Sequence, residues 1–373
     1  MKRLCIYVTY DPENVVDDYI GYMLRELRAL ADCLLVVCNY DHIAKGIGNV
    51  EPYADQIFYR DNAGFDAGAY QEILRRIDQI DEYDEMILSN DTFFGPFVPL
   101  DSIFGKMESG PCDFWGLNRR HIPLHDFIAS FFMVFRRRTI QPVTEYICNC
   151  MPENMCREDV LRLFEQGISN ELKKKGFHMG CYCDIAAVDM YRDPDYLINI
   201  MGSPVMKKRC FESGYYVENN CRRALRYIKE NTVYDIALIQ RTVGCRYGIV
   251  LDNEYTNISE SMPNDTRGIY YSVPESELES FFEKNPEVYL YGNGGTAMDF
   301  EEMYKERVNI RGRIVSDRYA QDRSRGKNAV IPISQVEDKK IPVIVTLSKE
   351  NSREVAQFMK GFTNVFYLWR WKE

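Results

Sequence analysis

The chain has 373 residues, of which 46% are hydrophobic and 27% are charged, and this composition excludes disordered, collagen-like and fibrous proteins. Lysine and arginine number 46 against 56 aspartates and glutamates, so the net charge is −10 and nucleic acid, which usually meets a basic face, is not an expected partner. At roughly 150 residues per domain, the length predicts two domains and a connecting segment.

Neither a membrane span nor a secretion signal is expected from the sequence. The longest apolar candidate, FIASFFMVF (127–135), is far shorter than the roughly 18 residues of a spanning helix and predicts a buried strand or a short helix. The amino terminus enters a strand-like run at once, without the apolar stretch of a signal peptide. The 12 cysteines are scattered, so we expect free thiols in a cytoplasmic protein, with the inner face of the membrane as a further option.

The first part of the chain alternates strand-like and helix-like patterns, which is typical of parallel βαβ units. A fourth strand follows and runs directly into Asn90, Asp91 and Thr92. Ligands of open α/β sheets bind at the carboxyl ends of the strands, so these polar residues mark a candidate site. The predicted strands are 4–10, 33–38, 56–59 and 85–89, and the predicted helices are 16–31 and about 68–80.

The whole chain divides into three stretches of different pattern. We expect an α/β fold in which a nucleotide-binding domain spans 1–200, a helical extension and linker span 201–284, and a small Rossmann-like domain spans 285–373. The patterns behind this division are strands within 113–138, a helix pair over 158–175, a strand over 179–188, helices over 220–230 and 232–242, a polar linker over 253–265, and a βαβ pattern from 287 to a last helix over 351–360.

The segment RDNAGFDAGAY (60–70) has the composition of a nucleotide site. Arg60, Asn62 and Asp66 surround the glycines Gly64 and Gly68 at a strand-to-helix junction. Small residues let the backbone approach a ligand, and the amino end of a helix favours phosphate. A tight turn without a ligand is the alternative interpretation.

The segment ILSNDTFFGPF (87–97) offers a metal candidate. Asp91, beside Asn90 at the end of the fourth strand, is placed to hold a divalent cation, Mg²⁺ or Mn²⁺, against a diphosphate, since hard cations prefer oxygen ligands. Asn, Asp and Thr also favour turns, so a structural turn stays open as the alternative.

Two further features are candidates for chemistry at the same site. Glu165, predicted at the start of a helix, is a carboxylate that can face a cleft and take a proton from an attacking hydroxyl. Phe114 and Trp115 offer a flat apolar platform for the ring of an acceptor sugar, and burial of Trp115 in the core is the alternative.

Several ordered motifs resemble the rhamnan synthesis protein F family. The motifs stand here as NAGFDAG (62–68), LSNDTFFGP (88–96), FWGL (114–117), and Phe164-Glu165 followed by Gly176-Phe177, and the resemblance covers about residues 2–240. It implies a GT-A-type glycosyltransferase that transfers a sugar, typically rhamnose from deoxythymidine diphosphate rhamnose, in cell-surface polysaccharide assembly.

The resemblance also implies roles for individual residues. Glu165 takes the place of the general base of an inverting transferase, and Asp91 that of the acidic metal motif, although the motif here has one acid instead of two. The expected partners are a nucleotide-sugar donor, a glycan or lipid-linked glycan acceptor, and other enzymes of polysaccharide assembly. Contacts to the nucleobase, ribose and diphosphate are implied for Asp11, Asn39, Arg60, Asn62 and Asp66.

Two signals outside these motifs suggest alternatives. YGNGGTA (291–297) resembles a dinucleotide fingerprint, with Asp317 ending the next strand, but Ala297 fills the shifted third glycine position, so no nicotinamide is expected. The basic triplets 136–138, 173–175 and 207–209 are either a contact for a lipid-diphosphate acceptor or membrane, or solvated surface. A non-catalytic assembly protein remains the alternative to a transferase.

Overall fold

The computed structural model describes residues 1–40, 44–186, 188–251, 269–321 and 330–372. The chain forms two compact units, the first comprising Met1–Arg120 and Asp126–Pro263, and the second His121–His125 and Asn264–Glu373. The predicted linker over 253–265 lies outside the described residues. Among the helices that the described ranges contain, none is long and apolar enough to cross a membrane.

Up to residue 251 the chain alternates strands and helices, with short 3₁₀ and π-helical segments between them. In chain order the strands and α-helices are β1 (Arg3–Thr9), α1 (Asp18–Leu30), β2 (Cys33–Cys38), β3 (Gln56–Tyr59), α2 (Phe65–Leu74), β4 (Glu85–Asn90), β5 (Phe93–Phe94), α3 (Leu100–Glu108), β6 (Phe114–Ile122), β7 (His125–Ile128), β8 (Phe132–Arg136), α4 (Arg137–Glu145), α5 (Arg157–Asp159), α6 (Gly167–Lys174), β9 (Met179–Ala186), α7 (Pro194–Asn199), β10 (Met206–Lys207), α8 (Glu218–Asn231) and α9 (Ala237–Tyr247).

The main sheet has the strand order β3-β2-β1-β4-β8-β6-β7, with β9 beside β6. Strands β1 to β4 are parallel, and β8 is antiparallel to both of its neighbours. Val8 is paired with Asn90 and Thr9 with Cys38, so β1, β2 and β4 end together at one edge of the sheet. This arrangement confirms the predicted α/β fold with a parallel-dominated central sheet.

The apolar runs of these strands follow from burial on both faces of the sheet. Along β1, Cys5 and Tyr7 belong to one hydrophobic cluster, while Leu4 and Ile6 belong to the cluster on the other face. Strands covered by helices on both sides lose the polar alternation that a half-exposed strand would show. The core therefore fixes the strands whose ends carry the candidate site.

The helices differ from the expectation in three respects. Helix α2 begins at Phe65, immediately after Gly64, which has the positive φ of 69° that ends the preceding turn. The expected helix pair over 158–175 is one continuous helix, in which a π-helical segment, Val160–Gln166, joins α5 to α6. Helices α8 and α9 belong to the first unit and do not form a separate extension.

The second unit contains a five-stranded parallel sheet of Rossmann-like strand order, β14-β13-β12-β15-β16. A short antiparallel pair, β11 with β17, accompanies it. The elements are β11 (Tyr270–Ser272), α10 (Glu275–Lys284), β12 (Glu287–Tyr291), α11 (Gly295–Tyr304), β13 (Asn309–Val315), α12 (Asp317–Gln321), β14 (Val330–Pro332), β15 (Val343–Val345), α13 (Lys349–Val355), β16 (Val365–Tyr367) and β17 (Trp369–Trp371).

Candidate functional site

A cleft of about 1090 Å³ lies in the first unit, at the carboxyl edge of β1, β2 and β4. Its volume is just above the range of about 300–1,000 Å³ that is typical of small-molecule and cofactor pockets. Charged side chains of both signs line it. The basic ones are Arg120, Arg157, Lys207, Lys208, Arg209 and Arg246, and the acidic ones are Asp11, Glu13, Asp17, Asp66, Asp91, Glu158, Glu165 and Glu212.

The turn before α2 contributes amide and carboxylate groups to the cleft wall. Asn39, at the end of β2, donates from Nδ2 to Asn62 Oδ1 (2.9 Å) and to the Phe65 carbonyl (3.2 Å). Asp66 Oδ2 accepts a hydrogen bond from Asn90 Nδ2 (2.6 Å). Four of the residues predicted to contact the nucleotide sugar therefore line one cavity, namely Asn39, Asn62, Asp66 and Asn90.

Arg60 lies behind this wall and does not line the cleft. Its guanidinium donates to Asn39 Oδ1 (3.1 Å), to the Ala63 carbonyl (2.7 Å) and to Glu72 Oε2 (2.8 Å), so its hydrogen bonds hold the turn in shape. Gly64 is also outside the lining and serves the turn through its positive φ. Arg60 was predicted to contact the diphosphate. In the structure it instead positions Asn39.

Asp11 lines the cleft after the end of β1, but protein groups already occupy its carboxylate. Asp11 Oδ1 accepts from the backbone N–H groups of Glu13 (3.0 Å) and Val15 (3.2 Å). Its other oxygen is ion-paired with Arg246, which also pairs with Asp17 (2.8 Å). Asp11 thus fixes Arg246 at the rim, an arrangement that the sequence does not reveal because the two residues are 235 positions apart.

The surroundings of Asp91 do not fit a divalent cation. Asp91 Oδ2 accepts hydrogen bonds from Thr9 Oγ1 (3.1 Å), the Tyr10 backbone N–H (3.3 Å) and Lys208 Nζ (3.3 Å). Mg²⁺ and Mn²⁺ need several oxygen ligands, and within the described ranges no three His, Cys, Asp or Glu side chains are grouped to hold a metal ion. The positive charge beside Asp91 is an ammonium group.

Two lysines of the basic triplet 207–209 are buried at the cleft. They are therefore not the solvated surface residues that one interpretation of the sequence suggested. Lys207 and Lys208 are each 9% exposed. Lys207 Nζ donates to Thr92 Oγ1 (2.5 Å) and lies 4.3 Å from the centre of the Phe131 ring. Lys208 Nζ donates to Tyr19 Oη (2.7 Å) and to Asp91. The sequence also suggested that this triplet contacts a membrane or a lipid-diphosphate acceptor. Lys207 and Lys208 do not form an exposed surface for such a contact, because both are buried.

Glu165 is half-buried and faces the cleft from the π-helical segment, in the middle of a continuous helix and not at its start as predicted. Burial raises the pKa of its carboxyl group, and the negative charge of Asp66 acts in the same direction. The charges of Lys207 and Arg120 and the Ser130 backbone N–H oppose that rise. A carboxylate with a raised pKa, placed on a cleft wall, is suited to accept a proton from a hydroxyl group.

The neighbours of Glu165 have shifted acidities of their own. Burial lowers the pKa of the Lys207 ammonium to about 8, although Glu165 and Asp66 favour its charged form. Burial also raises the pKa of Asp66, against the hydrogen bond from Asn90. Titratable groups whose environments shift their pKa values gather at functional sites more often than elsewhere.

Arg120 completes this group from β6. The pairing of β6 with β9 shifts register between Arg119 and Arg120, and such bulges re-aim side chains beside active sites. Arg120 Nε is buried without a hydrogen-bond partner among the described residues. Its guanidinium therefore has donor capacity left for a ligand.

The predicted acceptor platform is wrong. Phe114 and Trp115 are 0% and 1% exposed and do not line the cleft. Trp115 packs edge-to-face against Phe104, with the ring centres 5.0 Å apart, so the core alternative holds. Aromatic rings do reach the cleft at Tyr10 and Phe65, which are 41% and 40% exposed.

In the second unit the glycine-rich turn follows β12 and precedes α11, as the dinucleotide pattern predicts. Asp317 begins α12 instead of ending β13. Its Oδ1 accepts hydrogen bonds from the backbone N–H (3.1 Å) and the hydroxyl (2.8 Å) of Ser334. One carboxylate oxygen of Asp317 is therefore engaged within the protein.

Comparison with known proteins identifies a family and a group of distant folds. A family model described as Rhamnan synthesis protein F matches residues 34–269, more than half of the chain. No curated protein matches.

Among solved structures, a candidate nucleotide-diphospho-sugar transferase from Desulfovibrio desulfuricans is 13% identical, with 63% of this chain and 100% of that chain covered and a TM-score of 0.31. The 2-C-methyl-D-erythritol 4-phosphate cytidylyltransferase of Francisella tularensis is 10% identical, with 48% and 90% covered and a TM-score of 0.31.

Proposed function

Because the chain belongs to the rhamnan synthesis protein F family, we propose that it is a glycosyltransferase of polysaccharide assembly that uses a nucleotide-diphosphate sugar. The observation that carries the proposal is the position of Glu165, a half-buried carboxylate on the wall of the cleft that Asn39, Asp66 and Asn90 also line. A proton acceptor thus shares one cavity with the strand ends where α/β sheets bind nucleotides.

The proposed reaction is a single displacement at the anomeric carbon. Glu165 takes the proton of an acceptor hydroxyl while that oxygen forms a bond to the anomeric carbon. The bond from that carbon to the diphosphate oxygen breaks, and its electron pair stays on the diphosphate. Attack from the side opposite the leaving group inverts the anomeric centre.

The local environment of Glu165 suits this role. Its raised pKa makes it a stronger base than an exposed glutamate, and the charges of Lys207 and Arg120 keep its ionised form accessible. The hydrogen bond from the Ser130 backbone holds the carboxylate in place. Glu165 is the catalytic residue of the proposal, and the lysine and arginine tune it.

The family name refers to synthesis of a rhamnan, which supports rhamnose as the transferred sugar. The acceptor that we propose is a growing cell-surface glycan or its lipid-linked precursor. We propose deoxythymidine diphosphate rhamnose as the first donor to test. The exposed rings of Tyr10 and Phe65 offer stacking surfaces for the base or the sugar.

The test is transfer measured with a panel of nucleotide-diphosphate sugars, followed by the anomeric configuration of the product by NMR. The Glu165→Gln variant should lose roughly 10²- to 10⁴-fold in rate while it still binds donor. Glu171→Gln is the matched control, because Glu171 is on the same helix, outside the cleft, and is paired with Lys175. No turnover of any donor by the unchanged protein would instead favour a non-catalytic assembly role.

A further inference from the structure

We propose that Lys207 and Lys208 take the place of a divalent cation in this cleft and hold the diphosphate of the donor, so that donor binding and transfer need no metal. The inference rests on the proposed function, since it specifies how the same site binds its leaving group. It begins from the mismatch between Asp91 and a metal ion described above.

Protein groups already occupy one carboxylate oxygen of Asp91. Its Oδ2 accepts from a hydroxyl, a backbone N–H and the Lys208 ammonium, and its backbone carbonyl accepts from Tyr19 Oη (2.9 Å). A divalent cation bound to the same carboxylate would lie next to the Lys208 ammonium, and two positive charges at such a distance repel each other. Asp91 is better suited to position Lys208 than to bind metal.

Main-chain contacts fix both lysines against the Asn90-Asp91-Thr92 segment. Strand β10 pairs with β5, with Lys207 opposite Phe93, and the Lys208 backbone N–H donates to the Thr92 carbonyl (3.0 Å). The two ammonium groups are therefore held at the end of β4, where a cation would otherwise be expected. Charges fixed before the reaction stabilise a developing anion without the cost of reorganisation.

The ammonium groups retain donor capacity for a ligand. Among the described residues, Lys207 donates one hydrogen bond, to Thr92, which leaves two of its three ammonium protons for a ligand. Lys208 donates two, to Tyr19 and Asp91, which leaves one. Both side chains are buried, and a buried charge is stabilised when an anion binds beside it.

The chemistry of the leaving group supplies the reason for two cations. When the bond from the anomeric carbon to the phosphate oxygen breaks, the electron pair stays on that oxygen and the diphosphate gains one negative charge. Two fixed ammonium groups in a partly desolvated cleft favour that charge more than they would in water. Lys207 and Lys208 then act on the departing diphosphate, and Glu165 acts on the acceptor hydroxyl.

The experiment measures the binding of deoxythymidine diphosphate, UDP and GDP by calorimetry, first with excess EDTA and then with Mn²⁺ or Mg²⁺. We expect the tightest-binding nucleotide to bind equally well with EDTA and with added metal. Lys207→Ala and Lys208→Ala should each weaken it roughly 10- to 100-fold, and Lys208→Arg should restore part of the loss. Lys106→Ala is the control, because Lys106 is exposed on α3 outside the cleft, and circular dichroism checks that every variant is folded.

Three results would overturn the proposal, and they differ in which other conclusions they leave intact. Binding that EDTA abolishes and Mn²⁺ restores would refute the metal-free site but leave the glycosyltransferase proposal intact. Failure of every nucleoside diphosphate to bind under either condition would remove the proposed function and the lysine assignment together. Folded lysine variants that bind as well as the unchanged protein would also exclude the assignment.

Discussion

Asn90 Nδ2 donates a 2.6 Å hydrogen bond to Asp66 Oδ2 and so joins the end of β4 to the first turn of α2. The contact links two segments that are 24 residues apart. Asn90 Oδ1 in turn accepts from the hydroxyl of Thr92 (2.7 Å), which receives the hydrogen bond from Lys207. A chain of side-chain hydrogen bonds therefore runs across the floor of the cleft from Asp66 to Lys207.

Removing the amide of Asn90 should lower the free energy of unfolding. In Asn90→Ala the buried carboxylate of Asp66 loses a donor, which costs about 1–3 kcal/mol of unfolding free energy. Urea unfolding of Asn90→Ala, Asp66→Ala and the double variant measures the coupling between the two residues. Strictly additive effects would show that the contact carries no energy of its own.

The pH profile of kcat/KM should be bell-shaped. Raising the pH through the elevated pKa of Glu165 creates the base, so the rate rises; raising it further through about 8 removes the charge of Lys207, so the rate falls. Lys207→Arg should move the falling limb to higher pH, because a guanidinium stays charged. A falling limb that is unchanged in that variant would assign it to another group. The groups that set the pKa of Lys207 are Glu165, Asp66, Lys208 and Cys210.

Phe65 should matter for donor binding but not for stability. Its φ of 57° is strained for a residue with a side chain, and its ring is exposed at the cleft. Phe65→Gly should therefore leave the unfolding free energy unchanged or slightly raised, while the donor dissociation constant rises roughly tenfold if a base stacks there. Tyr59→Ala is the comparison, because Tyr59 is a similarly exposed aromatic residue outside the cleft. Equal donor affinity in both variants would argue against stacking on Phe65.

Trp115 should matter for stability but not for donor binding. Trp115→Ala removes a side chain packed against Phe104 and should lower the unfolding free energy by about 3–5 kcal/mol. Trp115→Phe is the milder variant on which donor affinity is titrated, and we expect it to match the unchanged protein. A weakened affinity in folded Trp115→Phe would return this residue to the site.

The sequence reveals those parts of the fold and site that depend on local pattern. Continuous apolar runs flanked by helices predict β1 to β4 correctly, since burial on both faces of a sheet produces that pattern. Parallel strands end at a common edge, which predicts that Asn90 lies at the site. The family resemblance implies the same for Asn39, Asn62 and Asp66, and all four residues line the cleft. Glu165 was singled out by a motif, and it does line the same cleft.

Other features depend on contacts between distant residues, which no local pattern records. Lys207 and Lys208 meet Thr92 and Asp91 more than a hundred positions away, and a basic triplet alone is equally consistent with solvated surface. The burial of Trp115 depends on α3 packing over β6, so an aromatic pair in sequence cannot distinguish a core from a platform. The basic triplet 207–209 is visible in the sequence, but only the pairing of β5 with β10 places its lysines at the cleft.

The measurement that tests the central claim most directly is a crystal structure of Glu165→Gln, whose turnover should be roughly 10²- to 10⁴-fold slower, with an intact nucleotide-diphosphate sugar. We predict that the diphosphate lies against Lys207 and Lys208 and that the anomeric carbon faces the side chain at position 165. A donor bound at the glycine-rich turn after β12, or one whose anomeric carbon points away from position 165, would contradict the account.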